Sequence, residues 1–352
     1  MSRCRTSTAR LSLALFAALA INSAFALRPA SDTNLVLVLE GDSLTDNGNV
    51  FKLLGVPNSK FYFPGRFTNG PNWVDYLTDT VTKFVKNATV LNYAYGGATA
   101  CANSETATAV PVIKDLGNQT AAFLADAAAG KVPKPSADTR VVLIQWVGSN
   151  DIDSALRQLA AAQAAAAAAN TTGPDLQTAG IALATSIVTC RLTAAQAVAA
   201  SGAVSDIVLL PISPLYQAPA VPAEFKAAVT QLVGFIDGAL SAQAKSLAGT
   251  FSSALKTRLH WAGDSSWIDK LSTTIVPPFK NTTYPCLWNP RSVLEKIDNL
   301  TLCTDVEDRY FFDQIHPTTR FHKHFALKGL LPRLQQLKGV VPRRVALNRF
   351  IV

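Results

Sequence analysis

An apolar run, Leu35-Val36-Leu37-Val38-Leu39, leads through Glu40 into Gly41-Asp42-Ser43-Leu44. Unbroken aliphatic residues without alternation read as a strand covered on both faces, the pattern of a parallel strand in an α/β sheet. A strand that stops at Gly-Asp-Ser delivers a hydroxyl to the carboxyl edge of its sheet, where open α/β folds bind ligands. A serine there becomes a nucleophile only if a base reaches it. Gly, Asp and Ser are also turn formers, so the rest of the chain must supply the partners.

The same unit recurs along the chain. Strands are expected at residues 35–40, 89–92, 140–147, 203–210 and 259–262. The second ends at Tyr95-Gly96-Gly97-Ala98 and the third at Gly148-Ser149-Asn150-Asp151; the fourth is stopped by Pro211 and Pro214. Between them, Trp73, Tyr76, Leu77 and Val81 give residues 72–82 helical spacing. A helix over 120–129 is closed by Gly130, Pro133 and Pro135. Asp151 or Asp153 can cap a helix running into the alanine-rich stretch 159–169. Further helices are expected over 176–200, 224–248 and 317–337, the last opening on Pro317. Residues 276–304 are rich in prolines and loop-like. The alternation predicts a three-layer α/β/α sandwich around a mainly parallel five-stranded sheet, flavodoxin-like in organisation. Three strand ends then carry Ser43, Gly97 and Asn150.

The first 26 residues read as a signal peptide. Arg3, Arg5 and Arg10 precede an apolar stretch from Leu11 to Ile21, and Ala24-Phe25-Ala26 supplies an A-x-A cleavage pattern. Removing it takes away three arginines and no acid, so the formal charge falls from +8 to +5. Part of that excess lies in Lys338, Arg343, Arg344 and Arg349, within or beside a basic tail over 341–352. One domain is expected over 27–340, since no Pro/Gly/Ser linker divides it. No basic stripe interleaved with aromatics points to nucleic acid. Cys101, Cys190, Cys286 and Cys303 remain after cleavage, and three pairings are open. The short loop favours Cys286–Cys303, which leaves Cys101–Cys190; a loop of that size contributes about 3 kcal/mol. The spacings match no common zinc site. Sequons at Asn87, Asn118, Asn170, Asn281 and Asn299 fit a secreted, extracellular glycoprotein.

Acyl transfer requires a nucleophile, a base, an orienter for the base and donors for the oxyanion. Of the histidines, only His316 has a carboxylate at a suggestive spacing, in Asp313-Gln314-Ile315-His316-Pro317. A carboxylate three residues away can bind one ring nitrogen and fix the tautomer. His322 and His324 lie two apart on an expected helix and are read as surface residues; His260 is read as a core or edge histidine. Backbone N–H groups of Ser43 and Gly97 and the side-chain amide of Asn150 can bind an oxyanion. Asp46 is read as a loop brace.

In order and context these blocks resemble the GDSL (SGNH) lipase/esterase superfamily, in its secreted plant, fungal and bacterial branch. The resemblance covers essentially the mature chain. It rests on residues 38–49, 92–98, 148–151 and 313–317, joined by Pro64-Gly65-Arg66-Phe67-Thr68-Asn69-Gly70-Pro71-Asn72-Trp73-Val74. It implies that Ser43 attacks an ester carbonyl, that His316 takes its proton and later protonates the leaving alkoxide, and that Asp313 orients His316. Ser43 N–H, Gly97 N–H and the Asn150 side chain would hold the oxyanion, with Gly97 aligned in preference to Gly96. Neither metal nor cofactor is implied. Glu40, where the branch often has Phe or a small residue, and Thr68, in place of Ser, are departures outside the catalytic set.

The ester itself is set by loops. Residues 61–67, Tyr95, Trp146, Phe311 and Phe312 are candidate pocket walls, with Tyr95, Trp146 and Phe311 taken as substrate contacts. The absence of a long amphipathic lid favours a short-chain ester, such as an acetyl group on a polysaccharide. A phospholipase, lipid acyl hydrolase or acyltransferase is the alternative, and a secreted glycan-binding or effector protein with an idle site is the alternative from another class. The protein is expected to be a monomer that meets a small-molecule or polysaccharide ester, with peripheral contact to a wall or membrane surface allowed.

Overall fold

The computed structural model describes residues 33–85, 87–102, 112–288, 298–337 and 340–341. The expected signal peptide and all but the first residue of the expected basic tail lie outside the described residues. Five parallel strands form one sheet: β1 (Asn34–Gly41), β2 (Ala88–Asn92), β3 (Thr139–Trp146), β4 (Asp206–Leu209) and β5 (Arg258–Trp261). Their order is β2-β1-β3-β4-β5, the flavodoxin-like order. β1 is buried from Leu35 to Gly41 because layers cover both its faces. It pairs with β3 from Asn34↔Thr139 to Gly41↔Trp146, so the two strands end level. Connections leave β1 on one side and return to β3 on the other. This makes the carboxyl ends of β1 and β3 the switch point where such sheets form a crevice.

The helices are α1 (Asn49–Leu54), α2 (Trp73–Phe84), α3 (Leu116–Ala128), α4 (Ser149–Ala168), α5 (Leu176–Ala200), α6 (Ala223–Ser253) and α7 (Ser266–Thr274). The last helical stretch comprises α8 (Thr319–His324), a π-helical turn Phe325–Leu330 and α9 (Leu331–Gln336). α3, α5 and α6 pack together in one layer; α2, α7, α8 and the π turn pack in the other. α2 begins in a capping box: the Asn72 side chain accepts from Val74 and Asp75 N–H, and Asp75 accepts from Asn72 N–H. Such a cap stabilises a helix by about 1 kcal/mol.

α5 is long and apolar enough to cross a membrane, with a mean hydropathy of 1.4. In this fold it packs between α3 and α6 in one helical layer. Its Arg191 is fully buried and donates to the Gln145 side chain and to the carbonyls of Gln145 and Leu210.

Several boundaries differ from the sequence expectation, each for a local reason. α3 starts earlier because Asp115 caps it at Asn118 N–H. β4 is shorter because Gly202 and Ala203 complete the turn after α5. Asp151 and Asp153 do not cap α4; Gly148 occupies the cap position, and Asp151 turns to the loop after β2. The final helix is not continuous: it widens into the π turn where Phe325 stacks between Trp146 (4.5 Å) and Trp267 (5.4 Å). Disulfides join Cys286 to Cys303 and Cys101 to Cys190, which is compatible with an extracellular location. Asn87, Asn118, Asn170 and Asn299 are exposed. Asn281 is half-buried, its side-chain oxygen accepting from Thr283 and Tyr284 N–H.

Candidate active site

β1 ends at Gly41, and the Gln119 side chain pairs with that residue's backbone. Its oxygen accepts from Gly41 N–H at 2.8 Å and its amide donates to the carbonyl at 2.9 Å. The chain then turns tightly. Asp42 Oδ1 accepts from Leu44 N–H, and the Asp42 carbonyl accepts from Thr45 and Asp46 N–H. Ser43 stands at the apex of this turn, still 9% exposed.

His316 Nε2 lies 2.7 Å from Ser43 Oγ, and His316 Nδ1 lies 2.8 Å from Asp313 Oδ2. A carboxylate at Nδ1 favours the proton there and leaves Nε2 as the acceptor facing the hydroxyl. Asp313 is fully buried. Burial alone would raise its pKa, but the charge of His316 and its hydrogen bonds from side chain and backbone outweigh that and hold the carboxyl below its ordinary value. Asp313 Oδ1 also accepts from Ile315 and His316 N–H, so the three-residue spacing closes its own turn.

The stretch 64–74 clamps this loop. Thr68 Oγ1 donates to the Pro317 carbonyl at 2.8 Å, Asn69 Oδ1 accepts from Thr319 N–H, and Thr319 Oγ1 donates to the Pro71 carbonyl. The Phe67 ring lies 5.4 Å from the imidazole.

The loop after β2 crosses to both strand ends. Tyr95 N–H donates to the Gly41 carbonyl, and the Asn150 side-chain amide donates to the Ala98 carbonyl at 2.8 Å. Gly96 and Gly97 are held between these ties. Gly96 N–H is engaged by Asp46 Oδ2 at 2.9 Å. Ser43 N–H and Gly97 N–H have no hydrogen-bond partner among the described residues, and the Asn150 amide keeps a second hydrogen. Gly97 has φ +84°, a conformation that favours glycine. A Cβ on Gly96 would meet Phe67 at 2.2 Å. Asp151 braces the far end of this loop by accepting from Ala100 and Cys101 N–H.

Asp46 also accepts from Gly48, Asn49 and Val50 N–H, which makes it a brace for α1. Burial pushes Asp42 up to about 7 and Asp151 up to about 6. The arrangement can move a proton from Ser43 through His316 and offers three donors to an anion at the strand ends. Among the described residues no three His, Cys, Asp or Glu side chains are grouped to hold a metal ion.

A small apolar cavity adjoins these groups. Its lining includes Leu44, Trp146, Ser213, Phe311, Ile315 and Pro317, and it holds about 30 Å³. Leu44 follows Ser43, Ile315 and Pro317 flank His316, and Ser213 Oγ lies 2.6 Å from Ser149 Oγ, beside Asn150. Trp146 and Phe311, two of the candidate wall residues, line this cavity. Tyr95 does not line the cavity; it packs with Val50, Val56 and Phe67.

His322, expected at the surface, is buried, because α8 packs against α2 and the π turn. Burial and the nearby His316 charge push its pKa down to about 3. His260 lies on the edge strand β5, 2.8 Å from Asp206. Gln119 and Tyr62, whose hydroxyl donates to Asp313 Oδ2 at 2.8 Å, carry no sequence motif. The aromatic content of residues 61–67 was the one available hint for Tyr62.

Residues 37–328 match the family model for GDSL-like lipase/acylhydrolase proteins. The chain belongs to that family. It is 35% identical over 119 residues to a phosphatidylcholine-sterol acyltransferase of Aeromonas hydrophila, covering 33% of this chain and 32% of that protein. It is 35% identical over 105 residues to a thermolabile hemolysin of Vibrio parahaemolyticus, covering 29% of this chain and 22% of that protein. The matches thus span about a third or less of the relatives' lengths. A lipase/acylhydrolase structure from Enterococcus faecalis aligns at 14% identity and TM-score 0.28, covering 64% of this chain and 87% of that one. The family match spans Ser43, Gly97, Asn150, Asp313 and His316 together.

Proposed function

We propose that this GDSL-family acylhydrolase is a secreted serine carboxylic-ester hydrolase acting on short acyl esters, such as acetyl groups on a carbohydrate. The observation that carries the reading is the continuous line Ser43 Oγ–His316 Nε2 (2.7 Å) and His316 Nδ1–Asp313 Oδ2 (2.8 Å). Ser43 attacks the ester carbonyl as His316 takes the hydroxyl proton. Charge on the resulting oxyanion is met by Ser43 N–H, Gly97 N–H and the Asn150 amide. His316 returns its proton to the leaving alkoxide, and water activated by the same imidazole releases the acid. Gly97 rather than Gly96 is assigned to the oxyanion because Gly96 N–H is already held by Asp46.

The short acyl group is supported by the cavity beside Leu44, Trp146 and Ile315. At about 30 Å³ it has room for a few water-sized groups. Its walls are fixed by the Trp146–Phe325 stack and by Phe311 against Tyr310. A second reading, a lipid acyl hydrolase or acyltransferase, is favoured by the stretch similar to a phosphatidylcholine-sterol acyltransferase.

A p-nitrophenyl ester series from acetate to decanoate, run beside phosphatidylcholine vesicles, separates the two. The short-acyl reading expects kcat/KM to fall steeply with chain length and Ser43→Ala to lose at least three orders of magnitude while staying folded, by order-of-magnitude precedent. Equal rates on long chains, or rapid fatty-acid release from vesicles, would replace it with the lipid reading. Retention of most turnover by Ser43→Ala would remove the nucleophile assignment.

A further inference from the structure

We infer that Tyr62 is a positioning residue for the acid–base pair, holding Asp313 in the orientation that aims His316 at Ser43; this rests on the proposed ester-hydrolase reading. The Asp313 carboxylate is wholly buried and its two oxygens are bound differently. Oδ1 accepts from the backbone N–H groups of Ile315 (2.9 Å) and His316 (2.7 Å). Those bonds are local and form wherever this turn folds. Oδ2, the oxygen nearer His316 Nδ1, accepts from the Tyr62 hydroxyl at 2.8 Å. Tyr62 comes from 251 residues away in sequence and is the only described side chain besides His316 bonded to that carboxylate. Without it, the imidazole would be the one remaining side-chain partner of the buried Oδ2 among the described residues, and a buried acceptor stripped of a donor is costly.

The phenol is fixed from several directions. Tyr62 is 4% exposed and its ring meets Phe312 edge-on at 5.0 Å. It packs with Cys286, Leu287 and Phe312, with Phe61 and Cys303 against that cluster. Cys286 and Leu287 N–H donate to the Phe311 and Phe312 carbonyls. The Cys286–Cys303 segment is therefore bonded to the backbone immediately before Asp313. On the other side, Tyr62 N–H donates to the Asn58 carbonyl, while the Asn58 amide and Lys60 Nζ donate to Asp298. The turn that carries the phenol is thus tied to the same segment. These contacts make Tyr62 a fixed strut between two parts of the chain, and its hydroxyl is directed at the one carboxylate oxygen that the local turn leaves unbraced.

Two consequences separate this role from packing. A hydroxyl donated to Oδ2 disperses part of the carboxylate charge, so removing it strengthens the attraction between Asp313 and a protonated His316. The imidazole then releases its proton at higher pH. Asp42 and His322 also face His316 electrostatically, but both are the same in wild type and variant and cancel in the comparison. Tyr62 is also absent from the cavity lining, so substrate binding should be little affected.

The test is Tyr62→Phe, which keeps the ring against Phe312. His316 is followed by NMR titration, and kcat and KM are followed against pH on p-nitrophenyl acetate, with Ser43→Ala as control. The expected result is kcat lower by about tenfold, the scale of one hydrogen bond to a charged group, with KM within about twofold. The midpoint of the His316 titration and the acid limb of kcat/KM should both move up by a few tenths of a pH unit. An unchanged midpoint with unchanged kcat overturns the role, and so does a loss confined to KM. If Tyr62→Phe does not fold, Phe312→Leu loosens the ring while keeping the hydroxyl; an upward midpoint shift supports the role and a fixed midpoint refutes it. The NMR arm does not need turnover. If wild type hydrolyses no ester, the functional reading fails while the Tyr62–Asp313–His316 coupling is still decided.

Discussion

Glu40 gives the sharpest thermodynamic test of how this fold treats its polar interior. It precedes Gly41 in β1, an interior strand of the sheet, and is fully buried. Thr120 Oγ1 donates to one carboxylate oxygen at 2.8 Å and Gln145 Nε2 approaches the other at 3.4 Å. No cation is bonded to it among the described residues. Burial pushes its pKa from 4.5 up to about 7, against the lowering effect of those two hydrogen bonds. Between these values the folded chain holds a proton that the unfolded chain has released. Stability therefore falls as pH rises through the window, by about 1.4 kcal/mol per pH unit. Below the lower value the group contributes no pH dependence; above the upper one the whole penalty, about 3 kcal/mol, is present.

Glu40→Gln removes the titration and keeps the shape. The amide oxygen can accept from Gln145, and the amide NH2 can donate to Thr120, whose hydroxyl also accepts. The assay is guanidinium unfolding of both proteins, with disulfides intact, at about pH 5 and about pH 8. Near pH 5 the variant should match wild type or be weaker by about 1 kcal/mol, from imperfect hydrogen bonds. Near pH 8 the difference should move by about 2 to 3 kcal/mol in favour of the variant. Asp42 and Asp151, also raised, titrate in both proteins and largely cancel. A stability difference that is the same at both pH values would refute the reasoning: Glu40 would then either ionise as freely as in water or stay protonated throughout.

Two further expectations concern the loop after β2. Gly96→Ala puts a methyl where the Phe67 ring now lies, 2.2 Å from its nearest atom, so the ring must shift beside His316. kcat/KM on p-nitrophenyl acetate should drop by about tenfold or more, the scale of a misplaced catalytic group; an unchanged rate would show that Phe67 does not constrain the imidazole. Replacing Cys101 and Cys190 together by Ser opens a bridge across 89 residues, and should lower unfolding free energy by about 4.6 kcal/mol on the chain-entropy estimate. A variant with wild-type stability would contradict it.

The chemistry-bearing side chains of this site were legible in the sequence because each lies in a short local pattern. Ser43 follows an apolar run, Asn150 follows another, and Asp313 binds His316 N–H within the same turn. What surrounds them was not legible, because it is built from pairings across long sequence separations. The tripeptide Asn118-Gln119-Thr120 shows the difference. As a string it is a sequon, and its asparagine is exposed. Folded, its other two residues are buried, one bound to Gly41 and the other to Glu40. His322 was placed at the surface from its spacing on α8. That helix is covered by α2 and the π turn, a tertiary fact with no trace in a six-residue helix.

The need for such partners was nonetheless predictable even where their identity was not. A central strand that ends inside the molecule leaves backbone N–H and C=O groups beyond the ladder, and buried backbone groups are almost always paired. Gly41 lies where β1 stops, and its backbone groups are met from two sides: the Gln119 side chain of α3 pairs with both, and Tyr95 N–H also donates to the carbonyl. A buried aspartate that stays charged likewise needs more donors than its own turn supplies, and Tyr62 adds one from outside the turn. In a hydrolase of this architecture the local motifs place the reactive atoms. The directions in which those atoms point are then set by residues that answer an unmet hydrogen bond, and these are found by asking which polar groups at the strand ends the motifs leave unsatisfied.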